Sequence, residues 1–299
     1  MKNYVITGAT GYLGLNLVRR LLKDNHRVLC ILRTNSNCDL LPKNEHLTIY
    51  KHQSDVEALA LALKAFKPQL VFHLASNFIA EHQSEQVDAL INANLLFGTQ
   101  LLEAMTVAKV NNIINTGTNW QHYHSDQYDP VCLYAATKEA FEKILQFYVK
   151  ARQLNCITLK LFDIYGPGDF RKKLIPLLEK YAITGDVLEM SSGEQALDMV
   201  HVDDVVEASL TAEMRLRERD CLGVMEEFAV ASGQPLALQK IVELLEVNMG
   251  KKISVRWGAR PYRTREVMTL WSNYKILPRW NVKYFFPEGL GALNSKSDT

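Results

Sequence analysis

Tyr134 and Lys138 lie one helical turn apart in LYAATKEAFEKI, residues 133–144. Side chains at positions i and i+4 share one face of a helix, so the lysine ammonium can approach the phenol. Free tyrosine has a pKa of about 10, and a nearby cation that stabilises the phenolate makes it a more effective proton donor or acceptor. Such pairs also arise by chance and in ordinary packing, so the pair alone predicts no activity.

Three glycines near the start of the chain have the spacing GxxGxxG. Gly8, Gly11 and Gly14 lie in TGATGYLG, between the apolar run NYVIT and LGLNLVRRLLKD, whose apolar residues recur at helical spacing. Glycine lets the backbone approach a pyrophosphate, and the N-terminus of the following helix attracts its charge. An ordinary glycine-rich turn is the alternative, but the position between strand and helix favours a dinucleotide site.

The elements that must position these residues alternate regularly. The predicted strands are 3–7, 27–32, 47–50, 69–75, 111–116 and 156–162, and the predicted helices are 13–24, 56–66, about 85–108 and 134–153. Apolar strands alternating with amphipathic helices predict a parallel sheet covered on both faces, which is a doubly wound α/β fold.

The regular alternation ends at YGPG, residues 165–168. Beyond it we predict a helix at 173–182, a strand at 187–190, a helix beginning in HVDDVVEASL at 201–210, a strand at 226–233 and a helix at 235–248. The expected dinucleotide-binding domain is 1–163 with a return of about 196–233, and a smaller discontinuous substrate lobe comprises 164–195 and 234–299. The terminal residues NSKSDT are expected to fray.

Composition indicates which classes of partner to expect. The net charge is +1 in 299 residues, and no long basic run favours a nucleic acid or a membrane surface. The five cysteines are widely spaced, which predicts reduced thiols rather than a disulfide framework or a metal site. Without a signal peptide or an apolar run of membrane length, the expected location is the cytoplasm.

Several motifs, taken in order, resemble the extended short-chain dehydrogenase/reductase family of nucleotide-sugar epimerases, dehydratases and ketoreductases. They are TGATGYLG, HLAS at 73–76, NLLFGT at 94–99, LYAATK, YGPG and HVDDVVEA. The resemblance implies that Tyr134 and Lys138 are the catalytic pair and that Lys138 also binds the nicotinamide ribose. It further implies that Thr118, just past the strand at 111–116, hydrogen-bonds the reacting oxygen; Thr116 is the rival.

By the same resemblance, a set of residues is expected to bind the cofactor. These are Gly8, Thr10, Gly11, Tyr12, Leu13, Arg33, Asp55, Val56, Leu74, Ala75, Ser76, Asn94, Thr116, Tyr134, Lys138, Leu161 and Ile164.

An acid at the end of the second strand would bind the adenosine ribose of NAD. Leu32 occupies that place and Arg33 follows, which favours pairing with a 2′-phosphate and hence NADP(H) over NAD(H). Arg33 could instead be a solvated loop residue, and Asp55 a helix N-cap rather than an adenine contact.

The expected reaction is a net reduction. Relatives that dehydrate sugars carry an Asp-Glu pair after the threonine, whereas this chain has Asn119 and Trp120. The order of GPGDFRKKLIPLL, SSGEQALDMVHVDDVV and GARPYRTREVM is most similar to the CDP-3,6-dideoxyhexose synthases, which make CDP-abequose or CDP-paratose for bacterial O-antigen. This resemblance implies NADPH-dependent reduction of the 4-keto group of a nucleotide-linked deoxyhexulose. The alternatives are an epimerase with tightly bound NAD and a non-catalytic NADP(H)-binding regulator.

Two departures from the family pattern affect the substrate site. Lys160 and Asp163 stand where relatives commonly have Arg and Asn, and Leu197 stands where Arg is usual. The expected substrate-binding residues are Thr118, Asn119, Asp163, Lys173 and Arg263. An acid at 163 would repel the substrate diphosphate unless it faces elsewhere or binds a cation, so Arg263 and the basic cluster 171–173 are the candidates for binding that diphosphate. Each could instead be surface charge. The resemblance also implies a homodimer with a four-helix interface formed by the helices at roughly 92–108 and 134–152.

Overall fold

The computed structural model describes residues 1–293, so the predicted frayed tail at 294–299 lies outside the described part. Thirteen strands occur in this range. They are β1 (Asn3–Thr7), β2 (Arg27–Arg33), β3 (Leu47–His52), β4 (Leu70–His73), β5 (Asn112–Thr118), β6 (Asn155–Leu161), β7 (Asp163–Tyr165), β8 (Leu188–Glu189), β9 (Ala196–Leu197), β10 (Met199–His201), β11 (Met225–Val230), β12 (Leu236–Ala237) and β13 (Val255–Arg256).

Eight α-helices connect these strands. They are α1 (Tyr12–Lys23), α2 (Val56–Phe66), α3 (Val87–Ile91), α4 (Phe97–Ala108), α5 (Leu133–Arg152), α6 (Leu174–Thr184), α7 (Val202–Arg217) and α8 (Leu238–Met249). Within residues 1–293, no helix combines the length and apolar character needed to cross a bilayer.

Seven strands form one parallel sheet in the order β11-β6-β5-β4-β1-β2-β3. Its inner strands are buried on both faces, which explains why they read as nearly continuous apolar runs. The doubly wound α/β prediction is therefore confirmed. The sheet order reverses between β1 and β4, and the crevice for ligands in such sheets lies outside the carboxyl ends of the strands at this point.

Two apolar clusters cover the two faces of the sheet. One packs α1 and α7 against it through side chains such as Leu17, Leu21 and Val205, and the other packs α2, α4 and α5 through Leu63, Met105 and Leu145. Each fully buried leucine contributes about 1.5–3 kcal/mol relative to an exposed one. The helical spacing of these residues therefore fixes which side of each helix meets the sheet.

The predicted single helix at 85–108 is wrong in detail. A 3-10 turn at Ser84–Gln86 and α3 lead into a π-helical turn at Asn92–Leu96, which continues as α4. Such wide turns insert extra backbone into a helix and often occur at functional sites. Here the π turn carries Asn94, whose side chain is buried.

A third apolar cluster lies beside the sheet and contains residues of α6 and α8, among them Leu178, Ile241 and Leu245. Three two-stranded sheets accompany it: β7 with β10, β8 with β13, and β9 with β12. Several of these strands have only two or three residues, too few for a periodic pattern, so most were not predicted. The boundaries of the substrate lobe stay a prediction.

Candidate active site

A cleft opens at the carboxyl edge of the sheet, where the predicted residues converge. Those that line it are Gly8, Gly11, Tyr12, Leu13, Leu74, Ser76, Thr116, Thr118, Asn119, Tyr134, Leu161, Asp163, Ile164 and Lys173. The lining also includes Gly14 of the glycine motif and residues that were not predicted to bind: Phe78, Gly117, Trp120, Phe162, Asp169, Arg171, Leu174, Ile175, Leu197 and Met199. The predicted residues outside this lining are Thr10, Arg33, Asp55, Val56, Ala75, Asn94, Lys138 and Arg263.

The glycine turn forms the floor of the cleft at the start of α1. Gly8 has a φ of +70°, and a Cβ there would lie 2.7 Å from the Ala75 nitrogen. A Cβ on Gly14 would lie 2.2 Å from the Gly8 carbonyl oxygen. No side chain caps α1, so the N–H groups of its first turn remain available to an anion. This backbone cradle fits the pyrophosphate of a dinucleotide.

Tyr134 lies in the first turn of α5 and lines the cleft. Burial raises the pKa of its phenol to about 12, while hydrogen bonding to the hydroxyls of Ser76 and Thr118 acts in the opposite direction. The phenol is therefore protonated at neutral pH and lies beside two hydroxyl groups.

The two candidate threonines have different surroundings. The Thr116 hydroxyl donates to the His73 carbonyl oxygen at 3.2 Å, which ties it to β4. Thr118 caps the 3-10 turn Asn119–Gln121 and accepts from the Trp120 N–H at 3.3 Å. Of the two, Thr118 is the one whose hydroxyl lowers the pKa of the Tyr134 phenol.

Lys138 lies behind the cleft wall, where its side chain is buried. Burial lowers its pKa to about 8, and the carboxylate of Glu142 partly offsets this. Its charge also reinforces the effect of burial in lowering the pKa of His73 to about 3. The groups that the Lys138 charge is coupled to are Glu142 and His73, and its pairing with the Tyr134 phenol stays a prediction.

Asn94 connects two segments of the chain through hydrogen bonds of its side chain. Its amide oxygen accepts from the Asn77 N–H at 2.7 Å and the Ser76 hydroxyl at 3.1 Å. Its amide nitrogen donates to the Asn77 carbonyl at 3.0 Å and the Thr137 hydroxyl at 2.9 Å. Asn94 thus joins the segment after β4 to α5, and it holds Ser76 where the phenol needs it. A direct contact between Asn94 and the cofactor stays a prediction.

Aromatic rings and cations line the side of the cleft next to Tyr134. The Phe78 ring lies 5.0 Å from that of Tyr134 and 5.4 Å from that of Trp120. The Lys173 ammonium lies 3.4 Å from the centre of the Phe78 ring, and the Arg263 guanidinium lies 5.0 Å from Trp120. Sequence reasoning missed Phe78, and its position two residues after HLAS was the only available signal.

Asp163 is half-buried and lies near these cations. Burial raises its pKa, and Lys173 acts in the opposite direction, followed more weakly by Arg263 and Arg171. Lys173 has a lowered pKa, first because of burial, with Asp163 opposing the shift. Asp163 therefore faces positive charge, which answers the objection that an acid would repel an anionic substrate.

The predicted basic cluster at 171–173 does not act as a unit. Arg171 donates to both carboxylate oxygens of Asp169 and to the Ile164 carbonyl, each at 2.7 Å. Its guanidinium also packs on the Tyr12 ring at 4.6 Å. Lys172 is exposed, whereas Lys173 lines the cleft.

The residues predicted to bind the adenosine end of the cofactor, at the end of β2 and the start of α2, lie outside the cleft lining. Arg33 ends β2 and is exposed, while Leu32 points into the core. Asp55 is the N-cap of α2, and its carboxylate accepts from the Ala58 N–H at 2.9 Å. The N-cap reading of Asp55 is thus observed, and its contact with adenine stays a prediction.

A glycine turn on a doubly wound sheet, with a cleft-lining tyrosine and a buried lysine on α5, defines a dinucleotide-dependent enzyme of the short-chain dehydrogenase/reductase type. The sequence profile of the NAD dependent epimerase/dehydratase family matches residues 4–221. The chain belongs to this family.

Its relatives include enzymes of more than one activity. A CDP-abequose synthase of Salmonella typhimurium is 26% identical and aligned over 98% of both chains. A UDP-glucuronate 4-epimerase of Thermodesulfobacterium geofontis is 24% identical over 97% of this chain and 94% of its own. Among solved structures, a UDP-glucose-4-epimerase from Stenotrophomonas maltophila, with bound NAD and formylated UDP-arabinopyranose, has a TM-score of 0.85 at 16% identity over 98% and 96% of the chains. The last likeness supports the fold alone.

Proposed function

We propose that this enzyme uses NADPH to reduce the 4-keto group of a CDP-linked 3,6-dideoxyhexulose, giving a CDP-abequose or CDP-paratose type of product for bacterial O-antigen. The observation that carries the proposal is the wall of the cleft beside Tyr134. Thr118 and Tyr134 meet there, while Asn119 and Trp120 follow Thr118 and offer no acid-base pair for removing water. The end-to-end likeness to CDP-abequose synthases supports it.

The residues of the cleft have separate roles in this reaction. When bound in this cleft, a reduced nicotinamide would supply a hydride for the carbonyl carbon. Tyr134, which burial keeps protonated, gives its proton to the carbonyl oxygen, and the Thr118 hydroxyl donates a hydrogen bond to the same oxygen. Lys138 would hold the nicotinamide ribose, as the family resemblance implies. Its charge, together with that of an oxidised nicotinamide, would favour the phenolate that proton transfer leaves behind.

Cofactor and substrate are held by different parts of the cleft. The glycine turn cradles the pyrophosphate of the cofactor, and the exposed Arg33 pairs with the 2′-phosphate of NADP(H). Lys173 and Arg263 neutralise the diphosphate of the substrate, and the charge of Lys173 also offsets that of Asp163. The rings of Phe78 and Trp120 offer an apolar surface to a sugar that lacks hydroxyls at two carbons.

The protein forms a homodimer in this proposal, through the helical stretch containing the π turn and α4 together with α5. Large apolar side chains on these helices are exposed in the single chain, including Leu96, Val107 and Phe147. Exposed apolar side chains on adjacent helices are suited to a helix-to-helix interface.

The proposal is tested by titrating the protein with NADPH and NADH and then offering CDP-, GDP-, UDP- and dTDP-linked 4-keto sugars while NADPH absorbance is followed. Tighter binding of NADPH and its consumption with the CDP-linked sugar are expected. R33A should weaken binding of NADPH but not of NADH. Tightly retained NAD with no net oxidation would instead identify an epimerase, and cofactor binding without turnover of any sugar would identify a regulator.

Tyr134→Phe is the test of the proton donor. We expect turnover to fall about 100-fold or more, within the range for losing a general acid, while the dissociation constant of NADPH changes little. Tyr128→Phe is the matched control because Tyr128 is an exposed tyrosine outside the cleft lining, and it should turn over normally. Full turnover by Tyr134→Phe would rule out the proposed proton donor.

A further inference from the structure

Gln121 lies between the end of β5 and α5, and its side chain has no solvent exposure. It ends the 3-10 turn that Thr118 caps. Neither the cofactor site nor the substrate site described above uses this residue, although it directly contacts the backbone of Thr118.

The Gln121 amide makes three hydrogen bonds. Its oxygen accepts from the Thr118 N–H at 2.9 Å. Its nitrogen donates to Glu139 Oε2 at 2.6 Å and to Glu142 Oε1 at 3.2 Å. A backbone N–H only donates and a carboxylate only accepts, so the orientation of the amide is fixed by its partners.

Both carboxylates belong to the helix that carries the catalytic pair. Glu139 follows Lys138 directly, and Glu142 lies one turn further along α5. Each is held in turn: Glu139 pairs with Lys143 at 2.9 Å, and Glu142 lies 3.9 Å from Lys160. The amide is therefore a rigid link between Thr118 and the helix of Tyr134.

Lys160 extends this link into the sheet. Its ammonium lies 3.1 Å from Glu227 on β11 and 3.2 Å from His122 Nε2. The His122 Nδ1–H donates to the Gln127 carbonyl at 3.1 Å, which leaves Nε2 to accept from Lys160. Buried networks in which each member is hydrogen-bonded hold their side chains in one arrangement.

We propose that Gln121 is a positioning residue that sets the Thr118 hydroxyl against the Tyr134 phenol. The proposal rests on the role proposed above for Thr118 in binding the reacting oxygen. The link fixes the Thr118 backbone relative to α5, and the hydroxyl is fixed in turn by the Trp120 N–H. A misplacement of about 1 Å at a reacting centre can reduce the rate about 100-fold.

Q121M tests this by keeping the length of the side chain and removing its hydrogen bonds. We expect kcat to fall about 10- to 100-fold, with the KM of the keto sugar and the dissociation constant of NADPH each within about twofold of wild type. Q69M is the matched control, since the Gln69 amide oxygen also accepts a backbone N–H, that of Asn3. Gln69 directly precedes β4, at the amino ends of the strands and away from the cleft, so the kcat of Q69M should be unchanged. An unchanged kcat in Q121M, or a loss explained entirely by weaker NADPH binding, would overturn the proposal.

A rescue experiment separates positioning from simple loss of stability. Q121E keeps an acceptor for the Thr118 N–H but opposes a third carboxylate to Glu139 and Glu142, so kcat should fall. E139Q supplies an amide donor to that new carboxylate. The kcat of Q121E/E139Q should therefore be at least tenfold higher than that of Q121E. A double variant as slow as Q121E, at equal thermal stability, would argue against the link.

Crystal structures of wild type and Q121M give a readout that needs no turnover. We expect the Thr118 hydroxyl to move away from the Tyr134 phenol by about 1 Å in Q121M. If Thr118 stays in place, the proposal fails, even where the wild type reduces a keto sugar. If Thr118 moves but no sugar is reduced by the wild type, the link stands and the proposed reaction is wrong.

Discussion

Burial acts on three titratable side chains of α5 and favours the neutral form of each. It raises the pKa of Tyr134 to about 12, lowers that of Lys138 to about 8 and raises that of Glu142 to about 7. Lys160 opposes the shift of Glu142, while Glu227 and Glu139 reinforce it. The charge on Lys138 near neutral pH therefore depends on a carboxylate that itself titrates in this range.

Glu142→Gln should change how stability depends on pH. Because the pKa of Glu142 rises from 4.5 to about 7 on folding, the native state binds more protons than the unfolded state between these values. Wild-type stability should fall as pH increases from about 5 to 7, by at most about 3 kcal/mol from this group. E142Q should lack this decrease, as measured by urea unfolding at each pH.

Glu139→Gln provides the control with the opposite sign. The pKa of Glu139 is lowered: burial opposes this shift, but the hydrogen bonds from Lys143 and Gln121 outweigh it. Its stabilisation is present above the usual carboxyl pKa and is lost only at lower pH. E139Q should therefore still lose stability between pH 5 and 7, with a slope somewhat shallower than wild type because the Glu139 charge reinforces the raised pKa of Glu142. Equal slopes in wild type and E142Q would show that Glu142 titrates normally.

At the scale of elements, two irregular turns shape the cleft. The π turn brings Asn94 inward to hold Ser76 beside the phenol. The glycine turn leaves the N-terminus of α1 uncapped and packs so closely that added atoms at Gly14 would meet the Gly8 carbonyl. Both positions depend on backbone geometry, so their tolerance to substitution can be predicted directly.

Gly14→Ala should weaken NADPH binding at least tenfold, because the new Cβ would lie 2.2 Å from the Gly8 oxygen and force the cradle to shift. Gly185→Ala is the control: this glycine has a φ of +76° and open space around it, so alanine costs about 1 kcal/mol of stability without touching the cradle. Isothermal titration calorimetry should give wild-type NADPH affinity for G185A. Wild-type affinity in G14A would contradict this account of the cradle.

At the scale of the whole molecule, the proposed dimer can be tested by placing a charge on an apolar side chain of its interface. Phe147 on α5 is 54% exposed in the single chain. Phe147→Glu should convert the dimer to a monomer at micromolar concentration, since an unpaired charge would be buried at the interface. Val247→Glu on α8 is the control, at a side chain 76% exposed and outside the proposed interface. Light scattering should show a dimer for V247E, and a wild-type monomer would exclude the proposal.

The amino-acid sequence by itself determined the doubly wound sheet, the glycine turn and the helix that carries Tyr134 and Lys138. These follow from local signals: apolar periodicity, glycine spacing and the alternation of strands with helices. Only the tertiary structure decided that Thr116 is tied to the His73 carbonyl, that Lys138 acts on Glu142, and that Phe78 adjoins the site. These contacts join residues distant in sequence or depend on which way a side chain turns. Strand register and packing set them, and no local pattern encodes them.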